Sequence, residues 1–219
     1  MNNKQTILDE TKKYVRQSLA NDFSGHDWGH IHRVVQNALF IGKKENADLF
    51  IIELAALLHD VGDYKFHDGD ETIGPRLAKE WLKSLNVEEQ TISHICEIIE
   101  NISFKGLGVS SSSNMNTLEG KVVQDADRLD AIGAVGVART FAYGGAKGRD
   151  MYDADIPPTT HRTFDEYKNS RGTVINHFYE KLLHLKDLMN TVTARTMAEE
   201  RHKFMLLFLE QFFTEVRIG

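Results

Sequence analysis

The dipeptide His59-Asp60 closes the apolar run LFIIELAALL (49–58), so an imidazole and a carboxylate stand side by side where a core helix should end. Two other apolar segments supply matching groups: His30 within HDWGHIHRV (26–34) and Asp127 within QDADRLDAIG (124–133). Imidazole and carboxylate together suit divalent ions from magnesium and manganese through iron, cobalt, nickel and zinc. Four protein ligands on a six-coordinate ion leave positions for water. An ion held this way polarises a phosphoryl oxygen and lowers the pKa of a water toward neutrality, so that water is the nucleophile. No serine or cysteine nucleophile is needed, and neither a G-x-S-x-G elbow nor a phosphate-cradling Walker loop is present.

Adjacent residues on a helix diverge by about 100°, so His59 and Asp60 share an ion only in the wedge between their directions at the helix end. A carboxylate there opposes the helix macrodipole, and a cation would compensate it. The plain alternatives are a core histidine bonded to a carbonyl and a helix-end carboxylate. Asp127 stands with Asp125 and Asp130, and carboxylate clusters are often solvated faces; here Val122, Val123, Ala126, Leu129 and Ile132 give the segment one apolar side.

The elements that must position these groups read as helices. Apolar residues recur at helical spacing at Ile31, Val34, Val35, Ala38 and Leu39, then at Ile92, Ile95, Ile98, Ile99 and Ile102, and again at Leu182, Leu185, Leu188 and Met189. No convincing period-2 run occurs. The pattern predicts an all-α chain with helices near 5–20, 27–45, 48–61, 72–85, 88–102, 117–142, 164–189 and 192–216. Asp48 is placed to cap the helix that leads to His59, and Gly62 to terminate it. Two stretches read as loops: the Ser/Gly-rich 103–116, expected to be mobile, and 144–162, which follows the Asp127 helix and is suited to form a rim or lid.

Composition narrows the function classes. At 219 residues with 41% hydrophobic content, the chain can bury a real core on its own. Its longest apolar stretch is far below the roughly 20 residues needed to span a bilayer, and the polar start MNNKQT has no apolar leader character, so a cytoplasmic protein without membrane partners is expected. A single cysteine, Cys96, excludes an internal disulfide and reads as a small helix residue packed inside. Net charge is −6 with both signs interleaved, which argues against a nucleic-acid polymer as partner but leaves room for a small phosphorylated ligand held by local cations. The composition is compatible with a homodimer.

Residues 26–34, 54–68 (LAALLHDVGDYKFHD) and 119–153, with NHFYEKLLHLKDLMNT (176–191) and AEERHKFM (198–205), resemble the small bacterial single-domain branch of the HD-domain superfamily of metal-dependent phosphohydrolases. The likeness implies a single-domain helical bundle, with 1–142 as metal-binding core, 143–163 as loop or lid, and 164–219 as C-terminal helices packed on that core. It implies a divalent metal cofactor held by His30, His59, Asp60 and Asp127. Among three nearby histidines, His30 stands three residues before the pair Arg33-Val34, as the family pattern requires, whereas His26 and His32 do not. Asp127 is the aspartate of the family's AD-x-x-D pattern, leaving Asp130 to orient a histidine or Arg33.

The family position three residues after Asp60 carries an acid or histidine that helps activate the attacking water, and Asp63 matches it. The plain reading of Asp63 is a turn residue. Substrate contacts are expected from His26, Arg33, His67, Asp130, Lys147, His177 and Lys181. Of these, His177 and Lys181 are four apart and so share a helix face, although a lysine there ordinarily snorkels to solvent. The implied activity is hydrolysis of a small phosphate ester or anhydride, most plausibly of a nucleotide. The competing reading is a non-catalytic nucleotide-sensing or scaffold protein that retains the fold; four ligands together with Asp63 argue for a working site.

Overall fold

A computed structural model describes residues 3–19, 27–62, 72–102, 115–159 and 172–216. Within them lie α1 (Asn3–Ser18), α2 (Trp28–Glu45), α3 (Leu49–Leu58), α4 (Ile73–Ser84), α5 (Glu89–Asn101), α6 (Leu118–Asp130), α7 (Gly133–Ala146), α8 (Val174–Glu180), a 3-10 helix at Leu182–Leu188, and α9 (Val192–Val216). No strand occurs among the described residues. The loop expected at 103–116 falls outside them except for its last two residues, of which Met115 is buried. His26, Asp63 and His67 also lie outside the described residues.

The chain divides into two compact units, 1–103 with 112–126 and 104–111 with 127–219. In the first, α3 is the central element and packs on α1, α2 and α5. Its sequence explains this, since Leu54 through Leu58 are all fully buried and no polar face remains. The one charge, Glu53, is matched by Lys12 of α1 at 2.8 Å. At Gly42 of α2 an added Cβ would come within 2.6 Å of Ile52 Cδ1, so glycine lets α2 and α3 approach closely. Asp48 caps α3 as expected, its Oδ1 accepting from the backbone nitrogens of Phe50 at 2.9 Å and Ile51 at 3.3 Å. Glu119 of α6 accepts from the Asp48 nitrogen at 3.0 Å, and Gln124 Nε2 donates to the Asn101 carbonyl at 3.2 Å, fixing α6 against α3 and α5.

The second unit is built on aromatics. Phe178 of α8 stacks on Phe208 of α9 with ring centroids 5.8 Å apart, and Phe141 of α7 meets the same Phe208 at 5.8 Å. The segment before α8 is held by backbone bonds, from Val174 N to Asp150 O at 3.0 Å and from Ile175 N to Met151 O at 3.1 Å, with Asn176 Nδ2 donating to Ile156 O at 2.9 Å.

Three expected boundaries differ from those observed. The helix expected at 48–61 stops at Leu58, with His59 as its C-cap, and Asp60, Val61 and Gly62 form a turn. The helix expected at 117–142 is two, because Ile132 is extended and Gly133 adopts φ +76°, a left-handed conformation that favours glycine. The end of α6 is stabilised from afar: Arg201 donates to the Leu129 carbonyl, and Arg139 to the Asp130 carbonyl at 3.4 Å. The helix expected at 164–189 includes residues outside those described. Its described part is α8 and the 3-10 turn, separated at Lys181 by φ −142° and ψ −60°.

Candidate metal centre

His30 sits in the first turn of α2, and that turn is shaped by Asp27. The Asp27 side chain caps the helix, its Oδ1 accepting from the His30 backbone nitrogen at 2.9 Å. His30 is 1% exposed. His59 arrives from the end of α3, and its Nδ1 bonds to the Ala56 carbonyl at 2.9 Å. A carbonyl only accepts, so Nδ1 carries the proton and Nε2 presents a lone pair. That lone pair faces His30 Nε2 at 3.3 Å.

Asp60 brings the carboxylate to the same place. Its Oδ2 stands 3.2 Å from His30 Nε2 and 3.5 Å from His59 Nε2. The turn at Asp60–Gly62 makes this geometry available, because Asp60 has left the helix and its side chain is no longer bound to the divergence of adjacent helical residues. Gly62 closes the turn at φ +76°. Asp127 lies near the end of α6, one residue past Ala126 in a continuous helix whose earlier turns are anchored on α3 and α5. Ligand atoms of His30, His59 and Asp127 lie within 4.8 Å of one another, close enough to hold one metal ion.

The donor set fits a divalent cation. Electron-rich atoms of two imidazoles and a carboxylate converge at 3.2–3.5 Å, the spacing of neighbouring ligands on an ion about 2 Å from each. Without a cation or a proton, buried acceptors would face one another at a desolvation cost. Mixed nitrogen and oxygen donors suit manganese, iron, cobalt, nickel, zinc and magnesium.

The remaining expected residues fall into different surroundings. Arg33 is half-buried, and its Nη1 lies beside Asp27 at Gly29, where an added Cβ would be 3.1 Å from Asp27 Oδ1 and 3.3 Å from Arg33 Nη1. Asp130 is buried and accepts from Arg139 Nη1 at 2.6 Å. Lys147 is exposed over the Tyr143 ring, 5.7 Å from its centroid. Lys181 is the C-cap of α8, and its backbone nitrogen bonds to the His177 carbonyl at 3.0 Å, so the two stay neighbours although the helix breaks between Glu180 and Leu182. Burial of the His177 ring, then the nearby Lys181 and Arg149, push its pKa down to about 3, so it is neutral at physiological pH. His177, Lys181 and Arg149 form a group with two positive charges.

Two contributors went unnoticed in the sequence. Asp27 carried a legible signal, an aspartate just before an apolar helical period, but its value as the cap that fixes His30 emerges only with the site. Arg139 carried none, because its partner Asp130 is nine residues away across a helix break. Cys96 lies on a helix as expected but is half-buried rather than packed inside; its thiol donates to the Pro75 carbonyl at 3.4 Å, and burial raises its pKa.

The HD domain family matches residues 27–132, a span that includes His30, His59, Asp60 and Asp127. The Bacillus subtilis protein YpgQ is 42% identical over 210 residues, covering 95% of this chain and 93% of that protein. A crystal structure of an HD-superfamily hydrolase from Bacillus thuringiensis superposes with a TM-score of 0.77 at 47% identity, covering 99% of this chain and 100% of the other. YpgQ solved in complex with ADP superposes with a TM-score of 0.75 at 40% identity, covering 96% of this chain and 98% of that one. Among the described residues no helix is long and apolar enough to cross a membrane. With an all-α fold, a His-Asp pair at the end of a buried helix, and donors gathered for one metal ion, this chain belongs to the HD-domain family, in the company of HD-superfamily hydrolases.

Proposed function

We propose that the chain is a phosphohydrolase that cleaves a phosphate ester or anhydride of a small nucleotide, using a water activated at the His30–His59–Asp60–Asp127 centre. The observation that carries this reading is the convergence of His30 Nε2, His59 Nε2 and Asp60 Oδ2 at 3.2–3.5 Å. A nucleotide is favoured because the similar YpgQ binds ADP. A divalent ion at these residues supplies Lewis-acid polarisation of a phosphoryl oxygen and a water of lowered pKa.

The protein's own groups complete the chemistry. Tethering of Nδ1 to the Ala56 carbonyl fixes the His59 ring in one tautomer and one orientation. Asp63, one residue beyond the Gly62 turn, is assigned as the base that takes a proton from the attacking water. Lys181 and Arg149 offer positive charge to a phosphate, while the neutral His177 near them can donate or accept a hydrogen bond without adding a third charge. Lys147, Arg33 and Asp130 are assigned supporting roles in substrate binding, with His26 and His67 assigned to the same task from sequence.

Phosphate release from a nucleotide panel, measured with several divalent metals and with chelator, tests the reading alongside metal content by mass spectrometry. Turnover that requires metal and is confined to phosphorylated substrates supports it. Stoichiometric metal without turnover on any phosphate ester or anhydride would instead favour a nucleotide sensor. Within a working enzyme, Asp63→Asn should lower the rate about 100- to 10,000-fold at unchanged metal content. Near-normal turnover returns Asp63 to a turn residue, and lost metal makes it a ligand.

A further inference from the structure

Asp127 stands in the last turn of α6, residues 127–130, and the end of a helix opens most easily because its final carbonyls lack partners within it. Two short turns tighten this end, with Ala131 N on the Arg128 carbonyl at 3.2 Å and Ile132 N on the Leu129 carbonyl at 3.3 Å. Arginines from two later helices add to them. Arg201 of α9 donates to the Leu129 carbonyl. Arg139 of α7 donates from Nη1 to the Asp130 carbonyl at 3.4 Å and to Asp130 Oδ2 at 2.6 Å.

Asp130 makes this more than a cap. Its side chain is buried at the carboxyl end of a helix, where a negative charge opposes the macrodipole and needs a cation beside it. Arg139 supplies that cation directly. Arg201 acts at longer range, since burial lowers its pKa while the charge of Asp130 works in the opposite sense. The stem of Arg201 runs along Gly133, where an added Cβ would lie 3.0 Å from its Cβ and Cγ. The left-handed glycine that follows α6 therefore also leaves room for the guanidinium to reach Leu129.

We propose that Arg139 and Arg201 are positioning residues of the metal centre, which hold the turn carrying Asp127 through Asp130 and the end carbonyls of α6. This rests on the reading of His30, His59, Asp60 and Asp127 as that centre. Neither arginine supplies a metal donor. Each sets how often the Asp127 carboxylate stands where a cation needs it, and apparent affinity falls with the fraction of competent sites.

Calorimetric titration of the full chain with Mn²⁺, together with circular dichroism melts with and without the ion, tests this. Wild type should bind Mn²⁺ and Asp127→Ala should lose it. Arg201→Met keeps the stem beside Gly133 and removes the guanidinium, while Arg139→Gln removes the charge beside Asp130; each should weaken Mn²⁺ binding about tenfold. Because Arg139→Gln leaves a buried carboxylate without its partner, it is also combined with Asp130→Asn to keep the chain folded, and the double variant should show the same loss. Arg139→Lys returns a charge to Asp130 without the planar fork and should recover part of the affinity. A role in stability alone would lower the melting temperature equally with and without Mn²⁺, whereas a positioning role shrinks the rise that Mn²⁺ produces. Folded arginine variants that bind Mn²⁺ like wild type, or that lose melting temperature equally in both conditions, overturn the inference and leave the metal centre standing. A wild type without Mn²⁺ affinity, or an Asp127→Ala variant that keeps it, overturns the assignment of the centre and this inference with it.

Discussion

The His30–His59–Asp60 cluster and the Arg149–His177–Lys181 group both contain imidazole, buried in the first and half-buried in the second, yet they have opposite electrostatic character. In the first, two imidazole nitrogens and a carboxylate face one another at 3.2–3.5 Å, an arrangement that a cation satisfies. In the second, burial and two nearby cations hold the His177 pKa down to about 3, an arrangement that an anion satisfies. The same side chain is made a metal-type donor in one place and a neutral neighbour of positive charge in the other, by what surrounds it. The proposed phosphohydrolase activity would use both, one centre to activate water and one to hold phosphate.

The largest effect should come from breaking the first cluster. His59→Ala or Asp60→Ala removes one of three convergent donors and leaves the others facing each other uncompensated, so metal retention and turnover should both vanish. Helical content should stay close to wild type, because both residues lie beyond the last residue of α3. Mass spectrometry of purified protein and far-UV circular dichroism check this. Stoichiometric metal in either variant would break the comparison at its first term.

The two regions were unequally legible in sequence. The metal cluster could be read because its determinants are local: an apolar run with no polar face, an aspartate ahead of it at Asp48, and a glycine at Gly62 after the His-Asp pair. The exact stop at Leu58 could not, although it frees Asp60 to turn toward the imidazoles. In the second unit the determinants are distant. The end of α6 depends on Arg139 and Arg201 reaching back to its last carbonyls, and no periodicity signals such a bond. An apolar period running through 182–189 looks the same whether the backbone is α or 3-10, so the break at Lys181 was invisible.

A smaller effect is expected from the cationic group. Lys181→Met keeps the bulk of the stem and removes the charge, so the Michaelis constant for a phosphorylated substrate should rise about tenfold with metal content unchanged. Steady-state kinetics on the best substrate of the panel measure it. An unchanged constant would make Lys181 a capping residue of α8 only, and the second region would lose its anion-binding character.

His177 sharpens the contrast through pH. Its folded pKa of about 3 lies below the ordinary 6.5, so the unfolded chain takes up a proton that the folded one refuses. The unfolded state therefore binds more protons between these values, and stability falls as pH drops through that window. Urea unfolding midpoints of His177→Gln, compared with wild type from pH 7 to pH 4, should show a shallower decline. Parallel curves would show that the ring titrates freely and that the two regions differ less than their geometry implies.

The smallest effect probes how the first region is built rather than what it binds. Asp27 caps α2 through the His30 backbone nitrogen, so it fixes the turn on which His30 stands. Asp27→Ala should cost about 1 kcal/mol of stability, the typical loss of an N-cap, and should loosen the ring enough to weaken metal binding severalfold. Asp27→Ser keeps a capping oxygen and removes the charge beside Arg33. If serine restores both stability and metal affinity, Asp27 acts through the backbone of α2. If it restores stability alone, the charge of the carboxylate matters beyond the cap. Unchanged metal affinity in the alanine variant would show that burial of the His30 ring, at 1% exposure, is sufficient to hold it in place.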